Sequence, residues 1–200
     1  MAVDYINPKS IIYSFGIGED LTFELELINK FNVNVFSFDP TPKSLAWAKS
    51  QNLPDKIIIN EYGIGKADGL ISFYPPENND FISHSTIKRS SGQTEFVQAP
   101  VKRLDTIMKE LSHNRIDLLK MDIEGSEYDV INDLERINIR PIQILVEFHH
   151  GFPEIGVPRT KQAIRQLTRM GYALFAYSIK LEEFSFIHLP TVKNYETRRD

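Results

Sequence analysis

The chain has 200 residues and no cysteine, which excludes disulfides, thiolate metal centres and cysteine nucleophiles. Hydrophobic residues make up 42% of it, enough to build the core of one domain over residues 1–200. A formal net charge of -4 and a pI near 5.8 argue against a nucleic-acid binder, whose usual mark is a basic face.

Residues 1–8 contain no apolar run of signal-peptide length, and no stretch approaches a membrane span, so a soluble, cytoplasmic protein is expected. Ile11 to Phe15 reads as a short buried strand, rich in β-branched and aromatic residues, and Gly16-Ile17-Gly18 breaks it. Phe23, Leu27 and Phe31 then recur at helical spacing, with Leu25 and Ile28 widening a face that can cover a sheet. Val33 to Phe38 is a second apolar run ending at Asp39-Pro40, and Pro42 opens a helix that carries Leu45, Trp47 and Ala48.

The order strand, glycine turn, helix, strand, acid, helix is that of a nucleoside-binding crossover. Two glycines let backbone N–H groups approach a ligand at a helix N-terminus, and Asp39, at the end of the neighbouring strand, is placed to accept hydrogen bonds from ribose hydroxyls. Either feature alone also describes an ordinary turn or a helix cap. The pair carries the reading.

Lys56 to Tyr62 supplies a third strand, residues 63–69 a turn, and Leu70 to Tyr74 a short strand. Pro75 to Ser91 is polar and rich in turn residues, a loop suited to a binding rim, with Phe81 and Ile82 as anchors and His84 and Ser85 within reach of a substrate. Phe96 to Val101 is another strand, followed by a helical face of Leu104, Ile107, Met108 and Leu111.

Ile116 to Met121 reads as a strand covered on both faces, and it ends in Asp122-Ile123-Glu124-Gly125-Ser126-Glu127. Asp122 and Glu124 therefore belong at the C-terminal edge of a sheet, where open α/β folds bind ligands, and Glu127 opens a helix with Tyr128, Ile131 and Leu134 on its apolar side. Ile142 to Phe148 repeats the arrangement and delivers Glu147, His149 and His150 to its end; alternation sends Glu147 and His149 to one side and His150 to the other. A loop around Gly151 to Val157 follows, then a helix over residues 160–170 with Ile164, Leu167 and Met170 as its stripe. Tyr172 to Ser178 and Glu183 to Leu189 read as an antiparallel hairpin at one sheet edge, and residues 196–200 as a solvated end.

Ser14-Phe15-Gly16-Ile17-Gly18-Glu19-Asp20, Phe38-Asp39-Pro40, Val101 to Ile107, Val146 to His149, and above all Leu119 to Glu127 resemble the FkbM family of S-adenosylmethionine-dependent methyltransferases. The resemblance runs from about Ile11 to Phe148. It implies an α/β, Rossmann-like three-layer sandwich of class I methyltransferase type, with a seven-stranded, mostly parallel sheet and an antiparallel terminal strand. It also implies O-methylation of a hydroxyl on a sugar, glycan or secondary metabolite. Carried over by residue, Gly16 and Gly18 form the loop around the methionine part of the cofactor, Asp39 holds its ribose, Glu61, Tyr62 and Gly63 neighbour the adenine and ribose, and Asp122 lies near the sulfonium and the acceptor. Ser14 stands where the family often has an acid near the cofactor's amino group, and Asp20 where many members have a further glycine.

A hydroxyl acceptor must lose a proton during methyl transfer. His149 is the leading base because its ordinary pKa lies near 6.5, with Asp122 as the alternative. Lys120 orients a polar substrate or pairs with an acid such as Glu124. Glu124, Glu147 and His150 join His84 and Ser85 as substrate contacts. Asp122, Glu124, Glu147 and His149 also make a donor set for Mg²⁺ or Mn²⁺, which would lower the pKa of an acceptor hydroxyl. A partner subunit, in a homodimer, would close an open cleft of this kind. Two other classes compete: a cofactor-binding protein that keeps the scaffold without turnover, and an NAD-dependent oxidoreductase, disfavoured because Gly16-x-Gly18 does not extend to Gly-x-Gly-x-x-Gly.

Overall fold

The computed structural model describes residues 1–74 and 96–196, with side chains through residue 193. Its main sheet contains β1 (Ile11–Phe15), β2 (Asn34–Phe38), β3 (Ile57–Asn60), β7 (Leu118–Met121), β8 (Gln143–Glu147), β9 (Tyr172–Tyr177) and β10 (Glu183–His188). The seven strands run in the order β3-β2-β1-β7-β8-β10-β9. All neighbours pair in parallel except β10, which inserts antiparallel between β8 and β9. The hairpin read at the C-terminus is present, with its second strand inside the sheet and its first at the edge.

Alternation along the strands separates two cores. Tyr13, Phe15, Leu119, Met121, Ile144 and Val146 join residues of α3 (Leu104–Glu110), α4 (Glu127–Ile137) and α5 (Gly156–Arg169) in one cluster. Ile12, Val35, Ile57 and Leu118 pack on the other face with Leu27 and Ile28 of α1 (Thr22–Phe31) and Ala48 of α2 (Pro42–Ser50). Helices on both faces give the three layers of the expected Rossmann-like α/β sandwich. The same alternation puts Ser14 and Lys120 on the α1 face, between apolar residues that point the other way. Two polar side chains are therefore committed to that side of the sheet.

Local chemistry sets the helix ends. Pro42 takes the first position of α2, where a missing N–H costs nothing. Asn32 closes α1 in the left-handed region at φ 57°, its N–H on Ile28 O, and Asn138 closes α4 the same way at φ 56°.

Residues read as a turn and two isolated strands assemble differently. β4 (Gly63–Ile64), β5 (Gly69–Phe73) and β6 (Val97–Lys102) form a separate three-stranded sheet in the order β4-β6-β5. A further helix, α6 (Leu189–Glu196), follows β10 where no helix was expected.

The parallel sheet reverses direction of growth at β1, which lies between β2 and β7. In open α/β sheets the crevice at such a switch point is where ligands bind.

Candidate active site

The crevice is built on the glycine turn. Gly16 adopts φ +92°, and a Cβ there would lie 1.8 Å from the carbonyl oxygen of Asp122. No other residue fits, because the turn after β1 rests directly on the end of β7. Gly16 N donates to Phe38 O at 3.0 Å and Asp122 N to Phe15 O at 3.0 Å, so the ends of β1, β2 and β7 are stitched at one level. Gly18, at φ +56°, has none of the described residues within 4 Å of the Cβ position.

Beside the glycine turn is a cavity of about 200 Å³ floored by Phe15 and Phe38, whose rings stack at 4.3 Å. Gly16, Gly18, Asp39, Gly63 and Asp122 line it, together with Asp20 and Glu124. Asp39 is buried, and both of its oxygens are engaged by protein. Oδ2 accepts from Ile17 N at 2.9 Å and Gly18 N at 3.3 Å, and Oδ1 accepts from Thr41 N at 2.8 Å and the Thr41 hydroxyl at 2.5 Å. Asp39 thus shapes the glycine loop besides facing the cavity.

Thr41 and Ser44, at the start of α2, also line the cavity; the sequence reading passed over both, although a Thr-Pro pair at a helix start is a polar, N–H-rich site. Glu61 and Tyr62 do not line it. Glu61 pairs with Lys49 at 2.6 Å, and the Tyr62 ring sits under the Lys102 ammonium at 4.2 Å.

The two departures from the family pattern each have a local answer. Ser14 is buried and donates at 2.5 Å to Glu24, a carboxylate only 2% exposed that α1 brings down onto the same spot. Lys120 Nζ lies 3.8 Å from Glu24, so its ion pair is with α1 and not with Glu124. Asp20 accepts from Thr22 N at 2.8 Å and from the Thr22 hydroxyl at 2.5 Å, which folds the chain into α1 without a glycine. Those hydrogen bonds hold its carboxyl below the ordinary range.

Beyond β7 the loop is strained. Glu124 and Gly125 both take positive φ, 52° and 103°, and Glu127 secures them: its Oε1 accepts from Ile123 N and Gly125 N, both at 3.1 Å. The same oxygen lies 2.9 Å from His149 Nδ1. With Nδ1 so held, Nε2 faces Asp122 Oδ1 and Glu124 Oε2 at 3.6 Å each. Burial is the largest influence on His149 and by itself lowers its pKa, but Glu127, Glu124 and Asp122 together outweigh it and raise the imidazole to about 9. Asp122 is raised from the ordinary carboxyl value, first by burial. Glu147 is raised as well, by burial and then by the charge of Asp122.

Ligand atoms of Asp122, Glu124 and His149 lie within 4.8 Å of one another. Glu147, expected in the same donor set, is outside that group. His150 Nδ1 is buried without a hydrogen-bond partner, and His150 does not line the cavity. His84, Ser85 and the loop that carries them lie outside the described residues. Among the described residues, no helix is long and apolar enough to cross a membrane.

Residues 13–174 match the methyltransferase FkbM domain. The chain is 25% identical over 187 residues to the human probable methyltransferase-like protein 24, covering 91% of this chain and 43% of that protein. It is 27% identical over 140 residues to the 2-O-methyltransferase NoeI of Sinorhizobium fredii, covering 62% of this chain and 57% of that one. The crystal structure of methyltransferase FkbM from Methylobacillus flagellatus superposes with a TM-score of 0.56 at 14% identity, covering 91% of this chain and 44% of that chain.

Proposed function

The chain belongs to the FkbM methyltransferase family, and on that premise we propose that it is an S-adenosylmethionine-dependent O-methyltransferase acting on a hydroxyl of a small-molecule or glycan acceptor. The observation that carries the reading is the convergence, on one cavity, of the glycine turn, Asp39 and Asp122 from three strand ends. A relative named as a 2-O-methyltransferase supports the choice of oxygen as the acceptor atom.

The cavity fits the cofactor in three respects. The open side of Gly18 leaves room for backbone approach, the Phe15 and Phe38 rings give an apolar floor, and Asp39 presents a carboxylate. Of the four hydrogen bonds on Asp39, that from Gly18 N is the longest at 3.3 Å and is the one a ribose hydroxyl replaces. When bound, S-adenosylmethionine supplies a methyl group on sulfonium sulfur, which an in-line displacement moves to the acceptor oxygen.

The acceptor proton goes to the Asp122–His149 pair. His149 is protonated at neutral pH while its neighbours are uncompensated carboxylates, since its pKa is about 9. A positive charge placed beside Asp122 and Glu124 opposes that effect and draws the imidazole toward its neutral form. Nε2, aimed at Asp122, is then the proton acceptor, with Asp122 fixing the hydroxyl. Glu127 holds the ring for this task and keeps Nδ1 as the donor.

A second reading is favoured by one observation: His149 Nε2 points at two carboxylate oxygens while an acid holds Nδ1. Asp122, Glu124 and His149 would hold Mg²⁺ or Mn²⁺, with Glu127 as the outer partner that orients the imidazole. Such an ion would polarise the acceptor hydroxyl.

Calorimetric titration with S-adenosylmethionine, S-adenosylhomocysteine and NAD tests the proposal. Selective binding of the first two is expected, and a folded protein that binds neither sinks it. Binding without turnover on any acceptor would leave a silent scaffold protein. Titration with MnCl₂, alone and in a Glu124→Ala variant, tests the metal reading.

A further inference from the structure

We infer that a second cavity, which among the described residues shares only Asp122 with the cofactor cavity, receives the acceptor and selects a compound carrying a protonated amine near its hydroxyl. The inference rests on the methyltransferase reading above. The cavity measures about 290 Å³ and lies against the α1 face of β7, β8 and β10, with Phe23, Lys120, Asp122, Glu147, Glu183 and Ser185 among its walls.

Strand register arranges these groups in two rows. Lys120 of β7 stands beside Leu145 of β8, and Leu145 opposite Ser185 of β10. One side-chain step further toward the cofactor, Asp122 follows Met121 while Glu147 stands directly opposite Glu183. Three carboxylates thus occupy the ends of three adjacent strands, on one face of the sheet.

Such a row costs the fold stability. Like charges directly opposite in an antiparallel pair are unfavourable. Glu147 and Glu183 are such a pair, register partners on β8 and β10, with Asp122 at the end of neighbouring β7. Lys120, the one cation among the described wall residues, lies 3.8 Å from the buried Glu24 behind it and also acts on Asp122. Two cations, Lys120 and the adjoining His149, thus face the three wall carboxylates and Glu24, and the described wall keeps a net negative charge.

A bound ammonium group supplies the missing countercharge. Phe23 adds an aromatic wall already lying 5.9 Å from the Lys120 ammonium, a surface on which a cation or the CH face of a ring can rest. Carboxylates on the remaining side accept from hydroxyl and ammonium donors. An acidic acceptor would face three like charges and is rejected. Because Asp122 belongs to both cavities, a hydroxyl seated here reaches the wall that faces the cofactor.

The test uses protein saturated with S-adenosylhomocysteine, whose binding is established first by calorimetry. Failure at that step removes the cofactor reading, and the sugar titrations are then made on the cofactor-free protein, where loss of the amine preference overturns this inference separately. Saturation-transfer NMR titrations with glucosamine, glucose and glucuronic acid follow, at low ionic strength and slightly acidic pH. Glucosamine should bind about tenfold more tightly than glucose, with glucuronic acid weakest, because one unit charge near several carboxylates outweighs the loss of a hydroxyl. In a Glu147→Gln/Glu183→Gln variant the preference should vanish while the melting temperature rises, the signature of relieved repulsion at a functional site. Equal binding of the three sugars, tighter binding of the acid, no binding of any to cofactor-loaded protein, or a preference that survives the double substitution would each overturn the inference.

Discussion

Glu127 Oε1 stands 2.9 Å from His149 Nδ1 and at the same time accepts two backbone N–H groups from the loop after β7. One oxygen atom therefore fixes both the strained Glu124-Gly125 segment and the imidazole that faces it. His149 is raised in the folded chain to about 9, from an ordinary 6.5. A raised histidine contributes stability that is fully present below about 6.5 and lost as pH rises through its folded value. Urea midpoints of the cofactor-free protein should fall between those limits, and the His149 ring signal should titrate near 9. Glu127→Gln should lower the NMR pKa and flatten the slope. A ring that titrates unchanged in that variant would remove Glu127 from the role.

Gly16→Ala places a methyl group 1.8 Å from the Asp122 carbonyl oxygen, at φ +92°. Backbone strain alone costs about 1–3 kcal/mol, and the overlap forces β1 and β7 apart at their ends. We expect a lower melting temperature together with loss of S-adenosylhomocysteine binding. Gly18→Ala meets the same backbone penalty without the overlap, since none of the described residues lies within 4 Å, and should be the milder of the two in thermal denaturation.

The sheet was legible because its signals are local. The parallel strands are short, mostly apolar runs that end at Gly16, Asp39, Glu61, Asp122 and Glu147, and the glycine turn followed by Asp39 has the spacing of a nucleoside-binding crossover. What escaped depends on contacts distant in sequence. Glu24 stands between Phe23 and Leu25 without a sequence signal of burial, and only the packing of α1 onto β1 and β7 shows it buried against Ser14 and Lys120. The three-stranded sheet escaped for the same reason, since Gly63–Ile64 is too short to register as a strand until β6 pairs with it. Glu127 was placed correctly in a first helical turn, but its reach back to His149 crosses 22 residues of sequence.

Asp39 is both a cavity wall and the anchor of the glycine loop, with four hydrogen bonds from Ile17, Gly18 and Thr41. Asp39→Ala should therefore reduce two quantities together. Cofactor affinity should drop by about tenfold or more, as expected for loss of a charged hydrogen-bonding group. Stability should fall by about 1–3 kcal/mol, because buried N–H donors lose their acceptor. Calorimetry and denaturant unfolding of the same preparation check both; weakened binding at unchanged stability would show that the loop holds its shape without Asp39.

Glu24 provides the sharpest test of how the chain tolerates Ser14. The carboxylate is buried, accepts the Ser14 hydroxyl and lies 3.8 Å from a Lys120 side chain that is 23% exposed. Removing one member of such a pair leaves a charge with poor solvation, so Glu24→Ala should destabilise the fold by about 2–4 kcal/mol. Lys120→Met alone should cost less, because the Ser14 hydrogen bond to Glu24 remains. The double variant should recover part of the Glu24→Ala loss, a coupling of about 1–2 kcal/mol in a double-mutant cycle. Strictly additive losses in urea unfolding would mean that Lys120 and Glu24 do not depend on each other, and that the Ser14 contact alone accounts for the burial of Glu24.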